Sequence, residues 1–302
     1  MLVLLLALAA TTAETAPAAD LVALGADRSD RMTVPVRVGG SAATIPFVID
    51  TGAERTVISR QLADHLKLER GPDRHLVTVT GSGRVGTVIV PGLAFSGTRV
   101  KQIEAPALDR AHLGAHGMLG LDSLQSRRLL LDFRKGEMKV LSARRAEDSD
   151  PDTIVVTARS RFGQLILVGA RLLGERVQVI VDTGAATSIG NTALLRKLQA
   201  RKKLSRTETV TITSVTGGTL AADYAQIDRI QIGGVDMNNI PVAFADAEPF
   251  KRFGLANKPA LLLGMDALRL FERVSVDFAN KQVRFALPDT SARSVPTLLA
   301  AR

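Results

Sequence analysis

The sequence predicts a mainly β protein built from two similar units, and three observations support this fold class. First, the tetrapeptide Asp-Thr-Gly-Ala occurs twice, at residues 50–53 and 182–185, each time after a short apolar and β-branched run. Second, the segments around each tetrapeptide also repeat in the same order. Third, strand-like segments follow one another at short spacing with few helical patterns between them. Two copies of one β unit therefore account for most of the chain.

The chain begins with an apolar leader. Residues 2–10 are all apolar, and Thr, Ala and Pro residues dominate as far as Ala19, which is typical of a signal peptide. The apolar run is too short to span a bilayer. We therefore expect residues 1–19 to be cleaved on export, leaving a periplasmic or secreted protein without stable membrane insertion. An uncleaved anchor and a disordered leader are the alternatives.

The first unit is expected to cover residues 20–142. Met32 to Val38 and Ile45 to Ile49 are predicted strands that end in the first acidic loop. Residues 56–68 have a helical pattern. A hairpin with a glycine-rich tip at residues 81–86 follows.

The second unit, predicted at residues 153–287, repeats the first. Residues 143–152 between them are charged and rich in helix- and strand-breaking residues, which indicates a linker, and residues 288–302 are expected to form a flexible tail. Three pairs of segments match without gaps: 36–50 with 168–182, 118–124 with 262–268, and 131–133 with 276–278. The chain is therefore an internal duplication.

Composition excludes several kinds of chemistry. The chain of 302 residues has no cysteine, so disulfides, thiolate catalysis and cysteine metal sites are ruled out. The net charge of +9 could attract nucleic acid. However, the basic residues are scattered and are not interleaved with aromatic residues as in a single-strand binder. We therefore expect a solvated basic surface and no nucleic-acid partner.

The acidic loops resemble the active-site loops of retropepsin-like aspartic proteases, in which Asp-Thr-Gly-Ala follows an apolar strand. The resemblance covers nearly all of both units. It implies two homologous closed-barrel-like lobes related by a pseudo-twofold axis. It also implies that Asp50 and Asp182 are the two catalytic residues, one from each lobe of a single chain.

Two carboxylates held together would share a proton. At ~3 Å and an effective dielectric of ~20 their repulsion is roughly 5 kcal/mol, so one carboxyl group stays protonated. The ionised partner can then activate a water while the protonated one binds the scissile carbonyl, without a metal or another cofactor. The pair predicts a bell-shaped pH dependence of activity, with an optimum between about pH 4 and 6.5.

The resemblance also assigns supporting and substrate-binding roles. The threonines would hydrogen-bond across the lobe interface, the glycines would offer N–H groups to the carboxylates, and the alanines would keep the loops small. These supporting residues are Thr51, Gly52, Ala53, Thr183, Gly184 and Ala185. Two glycine-rich hairpins match the position of flaps that close over a peptide. The flap residues are Gly81, Ser82, Gly83, Thr216, Gly217 and Gly218.

Three other patterns have simpler interpretations. Residues 81–86 match the dinucleotide-binding fingerprint, but a strand-like segment follows where a helix should begin. His112 and His116 have helical ligand spacing, but the intervening Gly114 disfavours a helix and no third metal ligand is evident. Four aspartates recur in both units and are expected to cap turns: Asp122, Asp132, Asp266 and Asp277.

The sequence thus predicts an aspartic endopeptidase that cleaves peptide or protein substrates and acts as a monomer with intramolecular lobe pairing. Two alternatives remain open at this point. The chain could be a non-catalytic peptide-binding or scaffolding protein that keeps the fold. Alternatively, its lobes could pair between chains in a domain-swapped dimer.

Overall fold

The computed structural model describes residues 22–23, 25–26, 31–124, 127–142 and 153–288. These residues form 27 strands and six short helices, which confirms the mainly β prediction. The leader at 1–19, the linker at 143–152 and the tail beyond Pro288 lie outside the described residues. Within the described ranges no helix is both long and apolar enough to cross a membrane.

The elements of the first unit alternate short strands with helices of six residues or fewer. In chain order they are β1 Val22–Ala23, β2 Gly25–Ala26, β3 Met32–Val38, β4 Ile45–Ile49, β5 Val57–Ser59, α1 Arg60–His65, β6 Glu69–Thr78, β7 Gly81–Val90, β8 Leu93–Phe95, β9 Thr98–Val100, β10 Ile103–Leu108, α2 Arg110–Leu113, β11 Gly117–Leu119, α3 Leu121–Leu124, β12 Arg127–Asp132 and β13 Glu137–Ser142.

The elements of the second unit follow the same plan. They are β14 Thr153–Arg161, β15 Gln164–Leu167, β16 Arg171–Leu172, β17 Glu175–Arg176, β18 Gln178–Val181, β19 Ser188–Gly190, α4 Thr192–Ala200, β20 Glu208–Thr213, β21 Thr219–Ile227, β22 Ile230–Ile232, β23 Val235–Met237, β24 Ile240–Phe244, α5 Glu248–Arg252, β25 Ala260–Leu263, α6 Met265–Leu268, β26 Arg273–Asp277 and β27 Gln282–Ala286.

Strands β3 and β4 have the bounds that the sequence predicts, whereas the predicted helix at 56–68 is divided. Its first residues form β5, which pairs with β10 and β11. The helix α1 begins only after Ser59, whose side chain accepts a hydrogen bond from the Leu62 N–H. The β-branched residues at the start of this segment favour a strand, so the helix is shorter than predicted.

One strand arrangement recurs in both units and carries the acidic loops. In the first unit β4 lies parallel to β11, which is antiparallel to β5. In the second unit β18 lies parallel to β25, which is antiparallel to β19. A parallel neighbour passing behind the end of β4 or β18 leaves the following loop projecting from the sheet. Each aspartate therefore follows a strand whose last three residues are buried.

The sheets are open, which corrects the expectation of closed lobes. In the described residues of the first unit the strand order runs from β6 through β7, β10, β5, β11, β4, β3 and β8 to β9, and the two end strands do not pair. A second path of 13 strands runs from β1 to β20 and includes strands of both units. A smaller sheet contains β16, β17, β22 and β23.

The two units are joined by antiparallel pairing of β12 with β26. This pairing extends for five residue pairs, from Arg128 opposite Asp277 to Asp132 opposite Arg273. A single apolar core passes beneath it, because buried side chains of both units, such as Leu131 and Val276, belong to one cluster. The shared sheet positions one acidic loop relative to the other.

Candidate active site

The two acidic loops hold their aspartates by backbone hydrogen bonds. The Asp50 Oδ1 atom accepts hydrogen bonds from the N–H groups of Gly52 at 2.8 Å and Ala53 at 2.9 Å. The Asp182 Oδ1 atom accepts one from the Gly184 N–H at 3.0 Å. Both aspartates are only 8% exposed. A buried carboxylate needs such donors, because burial without them is costly.

Thr51 and Thr183 join the loops across the lobe interface. The Thr51 hydroxyl donates to the carbonyl of Val181 at 2.9 Å, and the Thr183 hydroxyl donates to that of Ile49 at 2.8 Å. Each hydroxyl also accepts the other threonine's N–H at 3.1 Å. Both side chains are buried, so this four-bond network fixes the separation of the loops.

The loop glycines leave space for the carboxyl group of the opposite lobe. A Cβ atom on Gly52 would lie 2.5 Å from an Asp182 oxygen, and one on Gly184 would collide with the Asp50 carboxyl group. Any side chain at these positions would therefore displace the opposing aspartate. The relationship is reciprocal, and it places Asp50 and Asp182 together over the interface.

The two carboxyl groups are close enough that each affects the pKa of the other. Burial raises the pKa of Asp182 to about 8, and the charge of Asp50 adds to this effect. Burial also raises the pKa of Asp50, but the N–H groups of Gly52 and Ala53 and the positive charge of Arg31 oppose it. Both shifts favour retention of a proton by the pair near neutral pH.

The segments behind the acidic loops are held by equivalent hydrogen bonds in the two lobes. Asp122 accepts hydrogen bonds from the Thr56 N–H at 2.8 Å and hydroxyl at 2.6 Å. Asp266 accepts the N–H of Ser188 at 2.9 Å and its hydroxyl at 2.7 Å. Asp132 and Asp277 accept turn N–H groups. These contacts agree with the structural role predicted for the recurring aspartates.

The tip of the first flap lies two residues earlier than the sequence predicts. Thr78 pairs directly with Gly81, so Val79 and Thr80 form the turn. Gly81, Ser82 and Gly83 instead begin the return strand β7, where they pair with residues 76–78 of β6. The glycine-rich run therefore forms part of a long ladder, because its backbone hydrogen bonds outweigh the weak strand preference of glycine.

The second glycine-rich hairpin contains the other three predicted residues in its turn. Strands β20 and β21 are joined by residues 214–218, which include Thr216, Gly217 and Gly218. Gly217 has a φ of +83°, a left-handed conformation that favours glycine. Its Cα also packs against His112 of the first lobe, leaving no room for a side chain.

The flap tips contact each other and the opposite lobes. The Thr80 hydroxyl donates to the Ser214 hydroxyl at 2.8 Å. The carbonyl of Val79 accepts the N–H of Glu248, the first residue of α5 in the second lobe, at 3.2 Å. Since α2, which contains His112, and α5 occupy equivalent places in the two units, each flap reaches over to the same helix of the opposite lobe.

Sequence reasoning missed four residues of the site. Val79 packs against an apolar cluster of the second lobe, and Val215 packs against one in the first lobe. A β-branched apolar residue at each hairpin tip was the available signal. Arg31 and Gln164 are buried beside the acidic loops, and nothing local to their sequence distinguishes them.

The remaining sequence patterns have structural explanations. Residues 81–86 lie within β7 and do not open a helix, so the predicted rejection of dinucleotide binding agrees with the fold. The helix α2 contains His112 but ends before Gly114, so His116 lies beyond it. Across the described residues, no group of three or more His, Asp or Glu side chains is arranged to hold a metal ion.

Comparison with known protein families agrees with the duplication. A family model described as aspartyl protease matches the chain twice, over residues 34–123 and residues 168–267. Each match contains one acidic loop, one flap and the segment that passes behind the loop. No curated protein shows significant similarity to the chain.

Proposed function

Because this chain belongs to the aspartyl protease family, with two tandem retropepsin-like units, we propose that it is an aspartic endopeptidase. A water molecule bound between Asp50 and Asp182 attacks the scissile peptide carbonyl. The flaps close over an extended stretch of the substrate. Peptides or proteins are the substrate class, and no cofactor takes part in this proposal.

The observation that carries the proposal is the pair of buried carboxyl groups in mutual contact. Burial and the neighbouring acid together raise the pKa of Asp182 to about 8. The site therefore disfavours the ionised form of Asp182, although an aspartate is ordinarily charged at neutral pH. A protein that only binds peptides has no chemical need for two such groups. Perturbed carboxyl pairs of this kind favour general acid–base chemistry.

The chemistry follows from the shared proton. The ionised carboxylate takes a proton from the water while the water oxygen bonds to the carbonyl carbon. The protonated carboxyl group donates to the carbonyl oxygen, which gives a neutral tetrahedral diol. The proton gained from water then passes to the leaving nitrogen as the C–N bond breaks. The N–H groups of Gly52, Ala53 and Gly184 keep the carboxyl groups in place throughout.

The flaps support an extended substrate. Extended peptides bind by pairing their backbone with exposed strand groups, and glycine permits this close approach. The glycine-rich start of β7 and the turn at residues 214–218 face each other through the Thr80–Ser214 hydrogen bond. We also propose that the leader at residues 1–19 directs export and that the mature chain works outside the cytoplasm.

The experiment is cleavage of a proteome-derived peptide library by the purified mature chain and by Asp→Asn variants. Asp50→Asn and Asp182→Asn should each lose turnover by a factor of at least about 10³, and the double variant should be no worse, because the two groups act as one unit. Asp64→Asn, at an exposed position of α1, is the matched control. Substantial cleavage by either single variant would refute the two-carboxyl mechanism, and binding without cleavage by the wild type would favour a peptide-binding module.

A further inference from the structure

The two lobes differ at one pair of equivalent positions beside the aspartates. Thr33 of β3 lies opposite Val48 of β4, so the same register continued for two residues places Arg31 opposite Asp50. Ile166 of β15 lies opposite Ile180 of β18, and the same continuation places Gln164 opposite Asp182. The extended register therefore makes Arg31 and Gln164 the corresponding residues of the two lobes, one charged and the other neutral.

Arg31 brings a buried positive charge to Asp50. Arg31 is only 6% exposed, and its Nη2 atom donates a hydrogen bond to the carbonyl oxygen of Leu113 at 2.5 Å. The charge of Arg31 lowers the pKa of Asp50 against the effect of burial. Charges interact more strongly when water is excluded, so a buried cation favours the ionised carboxylate more than an exposed one would.

Gln164 also acts on Asp50, from the opposite lobe. It is 2% exposed, and its Nε2 atom donates to the carbonyl oxygen of Gly52. That carbonyl and the Ala53 N–H belong to one planar peptide unit, so holding the oxygen also orients the N–H. The Ala53 N–H in turn donates to Asp50 Oδ1 at 2.9 Å. Gln164 thus aligns a donor that stabilises the Asp50 carboxylate.

Other charged groups near the pair are either matched between the two lobes or exposed. Asp122 and Asp266 occupy equivalent places behind the two loops. The effect of Asp122 on Asp50 is therefore matched by the effect of Asp266 on Asp182. Glu54, next to the first loop, is exposed and forms a bidentate ion pair with Arg252. On the flap side His112 lies against Gly217. Glu54 and Arg55 have no charged counterparts in the second loop, where Ala186 and Thr187 stand, but both are exposed. Among these unrepeated charges Arg31 is the buried one.

We infer that Arg31 and Gln164 break the twofold symmetry of the catalytic pair, so that Asp50 is the ionised base and Asp182 holds the proton. Asp50 then takes the proton from water, and Asp182 donates its proton to the scissile carbonyl oxygen. When the C–N bond breaks, Asp50 gives its proton to the nitrogen, and Asp182 recovers one from the diol. Arg31 and Gln164 are positioning residues. This assignment of roles rests on the proposed function.

The first test uses Arg31→Gln, which makes the two equivalent positions alike and keeps a donor for the Leu113 carbonyl. The acid limb of the kcat/KM profile should move to higher pH by about one unit, because the ionised form of Asp50 loses its cation. Arg31→Lys keeps the positive charge, so its acid limb should stay close to the wild-type position. Arg37→Gln, which removes an exposed arginine from the neighbouring strand β3, is the control and should leave the limb in place. A uniform loss of activity at every pH, with the limb unmoved, would mean that Arg31 is merely structural.

The second test measures the carboxyl groups without substrate. The full chain is labelled with carbon-13 at aspartate carboxyl groups, and the two signals are identified through Asp50→Asn and Asp182→Asn. Asp50 should ionise at lower pH than Asp182, and Arg31→Gln should move the Asp50 transition upward. Should that variant not fold, Gln164→Met should move the same transition in the same direction. Ionisation of Asp182 first, or no movement in the folded variants, would overturn the inference. The predicted titration in a chain that cleaves no peptide would instead refute only the proposed function.

Discussion

At the residue scale, Gly52 and Gly184 do more than make turns, because each provides the space that the opposite aspartate occupies. The N–H of each glycine serves the aspartate of its own loop, while its Cα faces the aspartate of the other loop. Glycine thus provides both a backbone donor for its own loop and space for the opposite carboxyl group. Alanine would keep the N–H donor but would fill the space.

We predict that Gly52→Ala and Gly184→Ala each lower kcat/KM by at least about 100-fold, since an added methyl group displaces a reacting carboxyl group by an ångström or more. Gly86→Ala is the matched control, because a Cβ atom there would approach only an Asp73 oxygen, at 3.9 Å, and the backbone is not left-handed. Its kcat/KM should stay within about threefold of wild type. Equal losses in all three variants would show that backbone freedom, and not the carboxyl cavity, matters.

The buried proton also makes stability depend on pH. A carboxyl group whose pKa is higher in the folded chain stabilises the fold fully below its unfolded pKa of about 3.9, and this contribution disappears as pH rises through the folded value. For Asp182 the folded pKa is about 8, so stability should fall between about pH 4 and 8. The loss from this group is at most about 6 kcal/mol.

Asp182→Asn should remove most of this dependence, because the amide does not ionise. Urea denaturation at pH 5 and pH 9 measures it: the variant should be more stable than wild type at pH 9 and show a smaller difference between the two conditions. Asp64→Asn should keep the wild-type difference. A variant with the wild-type pH dependence would contradict the assignment of the raised pKa to this site.

At the scale of elements, the two hairpin tips exchange apolar contacts with the opposite lobes. Val79 at the tip of one hairpin packs on the second lobe, and Val215 at the tip of the other packs on the first. The hydrogen bond between Thr80 and Ser214 joins the two tips. We therefore expect the proposed flaps to expose this small apolar area when substrate enters and to bury it again on closing.

Val79→Ala and Val215→Ala should each weaken closure by about 1–2 kcal/mol, the usual worth of a partly buried valine relative to alanine. We expect KM for a fluorogenic peptide to rise by about 5- to 30-fold, with little change in the unfolding temperature. Val77→Ala, at an exposed position in β6, is the control and should leave KM unchanged. The same KM for all three variants would argue against flap closure by the two tips.

At the scale of the whole molecule, the pairing of β12 with β26 makes the lobes one structure. Five cross-strand residue pairs and a continuous apolar core connect them, and the exposed ion pair between Glu54 and Arg252 adds little. Such a joint favours formation of the catalytic pair within one chain. A swapped dimer would instead take Asp50 from one chain and Asp182 from another.

The two arrangements differ in a mixing experiment. Asp50→Asn and Asp182→Asn chains, unfolded together and refolded, should remain inactive if each active site forms within one chain, and the wild type should elute as a monomer. Wild type carried through the same cycle controls for refolding. Recovery of about a quarter or more of wild-type activity by the mixture would establish pairing between chains.

The sequence by itself determined the features that local patterns encode. The bounds of β3 and β4, the two acidic loops and the turn-capping aspartates were predictable, because strand periodicity, glycine turns and side-chain capping act over a few residues. The duplication was equally visible, because repeats need no knowledge of contacts. The resemblance of the loops to a known family then supplied the expected partner of each aspartate.

Tertiary structure decided what depends on distant neighbours. The flap tip moved to Val79 and Thr80 because ladder pairing overrode the preference of glycine for turns. The sequence predicts an optimum between about pH 4 and 6.5, whereas burial raises the pKa of Asp182 to about 8, so we expect the upper limb of the activity profile at higher pH. Arg31 and Gln164 look unremarkable in the sequence, and only strand register makes them equivalent. Their effect arises from burial and from proximity across a lobe interface, and no local pattern records either.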